Sequence, residues 1–516
     1  MIASRVPSTS ATDAVGDDGQ DVIQLKPNGG FMQFRSSLFT WSCFLVLVAC
    51  GSPQAMAADE FSLVERITEY VKPAIESREI IGLTIGVIDA REGTPEFKLP
   101  EGAEAPKIDG AKTLVLGFGR ANDAREGAPR SDTLFEIGSI TKVFTSLILA
   151  EMVERKLLKY DDPVETLLPA GTTAPARGER KITLIDLATH TSALPRMPAN
   201  FAPADPNNPF ADYTEKQLYE ALAALKLKRE PGKEYDYSNL GVGLLGHALA
   251  LKAGKTYEQL VIDEIAKPLG MNSTVISRDE SLLARSASGH DADGKASGDW
   301  DLATLAGAGA LRSTSGDMLR FLAAEMGVID TPLAPAMKAS QEIRLATKVP
   351  PGSIACGWHV ALDGALRWHN GQTGSFKSFC GFDRGRKIGV VVLSNTTSQF
   401  VDTIGVGVLK ILIGSKPGAL NIKQVAKIDP AGLDALVGKY ELVPLTQIFT
   451  ITREGDELWA QLTGQPKARI FPTSPTEFFY RLVDAQLTFE KDDKGDIVRV
   501  VLHQGGRDLP ARKLKE

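Results

Sequence analysis

The run Phe135-Glu136-Ile137-Gly138-Ser139-Ile140-Thr141-Lys142 constrains the fold more than any other stretch of this chain. Its apolar part stops at Gly138, and Val143, Phe144, Leu147, Ile148, Ala150, Met152 and Val153 then recur at helical spacing. Ser139 is therefore expected at or near the first turn of a helix, close to the unpaired N–H groups of its positive end. Lys142 follows one turn later on the same face. A serine hydroxyl is a weak nucleophile until a base takes its proton or a cation lowers its pKa, and a lysine so placed can contribute. Ser-x-x-Lys is short enough to arise by chance. Taken alone, it is equally an N-cap serine beside a solvated lysine.

The chain's 516 residues predict more than one domain and an ample core. Net charge is −6, and no basic tract points to nucleic acid. The six histidines are scattered and form no ligand-spaced cluster with the four cysteines, so no metal site is expected. Cys356 and Cys380 could pair in an oxidising compartment, a point sequence leaves open. Residues 1–31 are polar and aperiodic and read as a disordered extension, with Met32 an alternative start. Arg35, the apolar run Leu38 to Ala49 and Ala55-Met56-Ala57 give residues 32–57 the form of a secretory signal peptide. The run is too short for a comfortable membrane span. Leu47-Val48-Ala49-Cys50 also resembles a lipobox, so cleavage after Ala57 and lipidation of Cys50 are rival expectations. Either implies export to the periplasm, with membrane attachment only through Cys50.

Phe61 to Val71 predicts an amphipathic helix, and Ile81 to Asp89 a buried strand partnered by Leu114 to Gly119. His190 is read as a histidine that satisfies nearby backbone groups rather than as a base. Tyr237 and Asn239 lie on a loop just before the helical pattern Leu240, Val242, Leu244, Leu245, Ala248 and Leu249. Cys356 to Leu362, Arg367 to His369, Ser375 to Phe382 and Lys387 to Ser394 predict an antiparallel sheet holding His369-Asn370-Gly371-Gln372. Val401 to Ile413 would cover it, and residues 414–429 read as a linker. Short alternating strands then define residues 430–516 as a small all-β sandwich or barrel with no catalytic constellation.

Ser139-x-x-Lys142, Tyr237-x-Asn239 and His369-x-Gly371 stand in that order, and together they resemble the class C β-lactamase family of serine hydrolases and its penicillin-binding relatives. HTSALP and PGKEYDYSNLGVGLLG extend the resemblance, which runs from about Phe61 to Ile413, within a hydrolase domain placed at residues 60–414. It implies an α+β fold: an antiparallel sheet flanked by helices beside an all-helical region, with the site between them. It implies that Ser139 attacks a carbonyl to form an acyl-enzyme, that Lys142 polarises it, and that Tyr237 is the general base, its phenolate favoured by Lys142. Asn239 would hydrogen-bond Lys142 or a substrate amide, and the N–H groups of Ser139 and Gln372 would form the oxyanion hole. No cofactor is implied, and the expected partner is a peptidoglycan stem peptide or a β-lactam.

The third motif departs from the β-lactamases proper, which usually carry lysine where this chain has His369. A histidine is charged only in part near neutral pH, so its hold on an anion should be weaker and pH-dependent. The His-x-Gly form is similar to D-alanyl-D-alanine carboxypeptidases and endopeptidases, the activity expected here. A β-lactamase, an esterase and a non-catalytic penicillin sensor remain the alternatives. Ala193 stands where relatives commonly carry glycine after HTS.

Overall fold

The computed structural model describes residues 62–346, 352–361, 364–442, 447–463, 465, 467–481 and 483–514. The extension, the signal-like segment and Cys50 lie outside them. Helix α1 (Leu63–Glu76) opens with a capping box in which Ser62 and Glu65 satisfy each other's backbone N–H groups. Strands β1 (Gly82–Asp89) and β2 (Lys112–Gly119) pair antiparallel, as the apolar runs predict. Later come β3 (Ser353–Ile354), β4 (His359–Ala361), β5 (Leu366–Gln372), β6 (Lys377–Asp383) and β7 (Ile388–Ser394). They complete a seven-stranded sheet of order β2-β1-β7-β6-β5-β4-β3, antiparallel throughout. β1 joins β7 across some three hundred residues, which closes the domain on itself.

Both faces of the sheet are covered, so β1, β6 and β7 are buried along their whole length. On one face Leu83, Ile85, Val87, Trp368 and Val390 pack with α1 and the late helix Phe400–Leu412. On the other, Cys380, Phe382, Val391 and Leu393 meet a helical region that includes α2 (Thr141–Glu154), α3 (Asn239–Ala253) and α4 (Ser315–Glu325). α2 is buried on nearly every side, Lys142 included, which is why its sequence is apolar all round rather than striped. Cys356 and Cys380 are both free and buried; the disulfide that sequence left open is not formed.

Residues 438–513 form a closed eight-stranded antiparallel barrel, β8 to β15 in sequence order. β8 (Gly438–Leu442) pairs with both β9 (Gln447–Glu454) and β15 (Arg507–Lys513). Tyr440, Leu442, Phe449, Ile451, Leu487, Phe489, Val500 and Leu502 alternate inward to fill it. Arg481 of the barrel reaches Glu79 at 2.9 Å, and Ala426 N–H donates to Pro472 O at 2.8 Å. A cavity of about 290 Å³ separates the barrel from the sheet face that bears Trp368 and Asn370.

Candidate active site

Ser139 sits in a single 3-10 turn, Gly138–Ile140, that runs directly into α2. The turn is pressed against β5. A Cβ on Gly371 would lie 1.9 Å from Ile137 O, and one on Gly138, whose φ is +49°, 2.6 Å from Gln372 N. Only glycine permits either approach. Ser378 Oγ on β6 donates to Ile137 O at 2.8 Å and fastens the turn to the sheet. The invariable consequence is that the third motif lies beside the nucleophile without any sequence proximity to it.

Lys142 Nζ lies 2.9 Å from Ser139 Oγ and 2.5 Å from Ala308 O. Burial holds the amine well below its usual pKa, and the Arg196 charge pushes in the same direction. Tyr237 hydrogen-bonds the Ser139 side chain, and its ring centroid is 5.0 Å from Lys142 Nζ. Desolvation raises the phenol's pKa; the Ser139 bond and Arg196 only partly offset it. The resting pair is thus an amine that sheds its proton readily beside a phenol that keeps one. Lys142 is not among the groups that pull the phenol's pKa down; desolvation is the largest influence on both side chains.

His190 is 3% exposed, accepts from Ser238 N–H at 3.1 Å and stacks on Tyr237 with centroids 4.4 Å apart. It serves the backbone, as the sequence suggests, and also holds the tyrosine ring. Of the two partners expected for Asn239, a substrate amide or Lys142, the structure shows no hydrogen bond to Lys142. Asn239 Nδ2 donates to Met197 Sδ at 3.7 Å, while Lys142 turns to the Ala308 carbonyl. Asn239 occupies the first residue of α3 and its backbone N–H donates to Arg196 O, so the side chain is drawn toward the 195–197 loop.

Gln372 contributes through its backbone. Thr373 N–H donates to Phe376 O, and Gln372 pairs with Lys377 in the same register. Antiparallel ladders alternate, so Gln372 N–H points away from β6, toward the side where β4 pairs only as far as Trp368. That side is where Gly138 makes its contact. Gln372 N–H is in this way brought beside the serine turn.

His369 is 1% exposed. Desolvation holds its pKa well below the usual imidazole value, aided by His359 and Lys142. Its Nδ1–H donates to Asn370 O at 2.6 Å, and its ring stacks on His359 with centroids 4.8 Å apart. The partial charge expected near neutral pH is therefore absent, for burial was not visible in the sequence. Asn370 faces the opposite side of the sheet and donates to Asp402 at 2.7 Å.

Glu136, three residues before the serine, accepts from Trp300 N–H at 3.0 Å and from Arg312 at 2.9 Å. Burial pushes its carboxyl up to about 7, against the pull of Arg312. This pair ties the serine turn to the loop bearing Trp300, whose ring packs on Phe210 at 5.2 Å. Among residues that sequence reasoning did not single out, the Ala308 carbonyl accepts from Lys142, Arg196 lies over the Tyr237 ring, and His359 stacks on His369. Arg196 directly follows HTSALP, the one signal that could have marked it.

The Beta-lactamase family matches residues 101–407. The chain belongs to the beta-lactamase family of serine hydrolases. A second family, a domain of unknown function (DUF3471), matches residues 423–513, the barrel. A D-alanyl-D-alanine-carboxypeptidase/endopeptidase, AmpH, of Escherichia coli is 35% identical over 215 residues, 42% of this chain and 54% of its own length. The chain thus spans about half the length of this relative. A Pseudomonas fluorescens beta-lactamase is 27% identical across 53% of this chain and 68% of its own. Among solved structures, a class C beta lactamase from Rhodobacter sphaeroides superposes with a TM-score of 0.56 at 26% identity, covering 68% of this chain and 99% of that one. The octameric penicillin-binding protein homologue from Pyrococcus abyssi shares the fold at a TM-score of 0.57 and 22% identity, covering 87% and 100%.

Proposed function

We propose that this hydrolase is an exported D-alanyl-D-alanine carboxypeptidase/endopeptidase that acts on peptidoglycan peptides through a Ser139 acyl-enzyme and is also acylated by penicillins. The observation that carries the proposal is Ser139 Oγ held 2.9 Å from a buried Lys142 amine while hydrogen-bonded to Tyr237. The similarity to AmpH supports the choice of peptide substrate.

In this reading Ser139 Oγ–H gives its proton to the neutral Lys142 amine, directly or through the Tyr237 hydroxyl, as the Oγ–carbonyl bond forms. The carbonyl oxygen takes up negative charge between Ser139 N–H and Gln372 N–H. Tyr237, kept protonated by its raised pKa, passes a proton to the leaving nitrogen and is resupplied from the Lys142 ammonium. Water then repeats the sequence on the ester and releases the acid. Export through the 32–57 segment belongs to the same reading, by cleavage after Ala57 or lipid on Cys50.

Three substrates test it on one preparation. D-alanine release from a muropeptide is expected, with a fluorescent penicillin bound covalently and Ser139→Ala inert to both. Rapid nitrocefin turnover with only transient label would replace the proposal with a β-lactamase. Fast p-nitrophenyl ester cleavage without label would make the protein an esterase. Stable label without peptide turnover would leave a penicillin sensor.

A further inference from the structure

Two loops that carry none of the catalytic groups, residues 199–213 and 298–302, meet beside the serine turn, and Trp300 stands where they join. Its backbone N–H donates to Glu136, three residues before Ser139. The loop is tied down on either side of it. Ser375 Oγ donates to Gly298 O at 2.9 Å. Asp301 exchanges two hydrogen bonds with Asn208: its N–H donates to Oδ1 at 2.8 Å, and its Oδ2 accepts from Nδ2 at 2.9 Å. The indole packs on Phe210, itself 6% exposed, with ring centroids 5.2 Å apart. Its edge meets the turn after the third motif, where a Cβ on Gly374 would lie 2.5 Å from Nε1. Gly374 has no left-handed φ, so the closeness of the ring is what calls for glycine there. For all this fastening the indole is only half-buried. A rigid aromatic held in place beside a nucleophile and left partly open is a contact surface that loses little entropy when a ligand packs on it.

We propose that Trp300 is the platform for the substrate's acyl group, a specificity-determining residue that favours acyl donors ending in an apolar ring or chain. The proposal rests on Ser139 being the nucleophile, as argued above. When Ser139 Oγ attacks, the leaving nitrogen faces Tyr237 to receive its proton, so the acyl substituent departs from the carbonyl on the other side. The 373–376 turn, which follows Gln372 directly, borders that side, and the Trp300 ring lies against it at Gly374. An apolar acyl group reaching the turn covers the open part of the indole and removes water from both surfaces. A short acyl group does not reach it and gains nothing.

The test treats the full chain with benzylpenicillin, which carries a phenylacetyl group on the acyl side, and with aminopenicillanic acid, the same ring system without that group. Intact mass gives the rate of Ser139 acylation by each. The parent should react about tenfold faster with benzylpenicillin, the scale of one aromatic contact. Trp300→Ala should bring the ratio of the two rates down to about one, and Trp300→Phe, which keeps an aromatic face, should retain most of it. Circular dichroism checks that both variants are folded. If the parent shows no preference, or if the preference persists in Trp300→Ala, the inference is overturned; slowing of both compounds alike would reduce Trp300 to a support for the serine turn. p-Nitrophenyl hexanoate and p-nitrophenyl acetate give the same comparison without a β-lactam. Should neither β-lactam label Ser139 while Trp300→Ala erases a preference for the hexanoate, the penicillin-acylated peptidase reading fails and this one stands. A parent acylated by neither pair overturns both.

Discussion

Replacing Gly371 by alanine tests whether the oxyanion edge is made by the pressing of the serine turn on β5. The added methyl would meet Ile137 O at 1.9 Å, where a relaxed carbon–oxygen contact is about 3.3 Å. A gap of about 1.4 Å must therefore open between strand and turn. That displacement falls on Gln372 N–H, the next residue along, and not on Lys142, which is held within α2 and by Ala308 O. An oxyanion donor removed by mutation costs about 10²–10³ in rate, or roughly 3 kcal/mol. A misplacement of about 1 Å costs around 10²-fold by itself. Acylation by a chromogenic ester or penicillin should thus slow by about two to three orders of magnitude. Crowding should lower stability by only about 1–3 kcal/mol, which leaves a folded protein to assay. Circular dichroism would confirm the fold, and stopped-flow acylation would give the rate. A folded Gly371→Ala protein that acylates within threefold of the parent refutes the placement of Gln372 N–H at the oxyanion.

Further outcomes can be checked alongside. Lys142→Met should abolish turnover yet stabilise the protein at neutral pH. The lysine's folded pKa lies below its unfolded value, so folding expels a proton between the two, and the parent gains stability as pH rises toward the unfolded value. The mutant's advantage should therefore shrink by up to about 1.4 kcal/mol per pH unit in denaturant titrations, and an advantage that grows with pH would contradict the buried amine. Glu325 is fully buried and pushed up to about 8, chiefly by desolvation. Its ionisation in the unfolded chain favours unfolding from its unfolded pKa up to about 8, so Glu325→Gln should stabilise more at pH 8 than at pH 5, by a few kcal/mol at most. Ala193 adopts φ +62°, the left-handed region, which explains why glycine suits the position. Ala193→Gly should change stability by less than about 1 kcal/mol, relief of strain opposing the added freedom of the unfolded chain. Thr488, His503 and Asp508 form a hydrogen-bonded row at 2.9 and 2.7 Å on the barrel's strands. Thr488→Ala should leave acylation unchanged, since those strands' N–H groups are used in the ladder and form no oxyanion site.

Local chemistry made much of this protein readable from its sequence. The serine turn announces itself by the switch from Gly138 to a helical pattern, and the barrel by period-two alternation between glycine turns. Ser139 and Lys142 are close because a helix makes them so; Tyr237 reaches them only through the fold. What stayed hidden depends on burial and on distant partners. Nothing near His369 in sequence says that its ring stacks on His359 and loses its charge. The preference of Asn239 for Met197 follows from how α3 meets the 195–197 loop, a contact among segments some forty residues apart. The pairing of β1 with β7 is invisible for the same reason, because apolar strands buried on both faces carry no mark of their neighbour.

The barrel is sealed by its two terminal strands: Tyr440, Glu441 and Leu442 lie against Lys513, Arg512 and Ala511. A clipped C-terminus would not merely shorten one side. It would uncover the hydrogen-bonding rims of both β8 and β14 (Ile497–Gln504) at once and leave Tyr440 and Leu442 facing water. The strand Arg507–Lys513 is therefore a clasp, and its proteolytic loss should leave the barrel prone to strand-to-strand self-association.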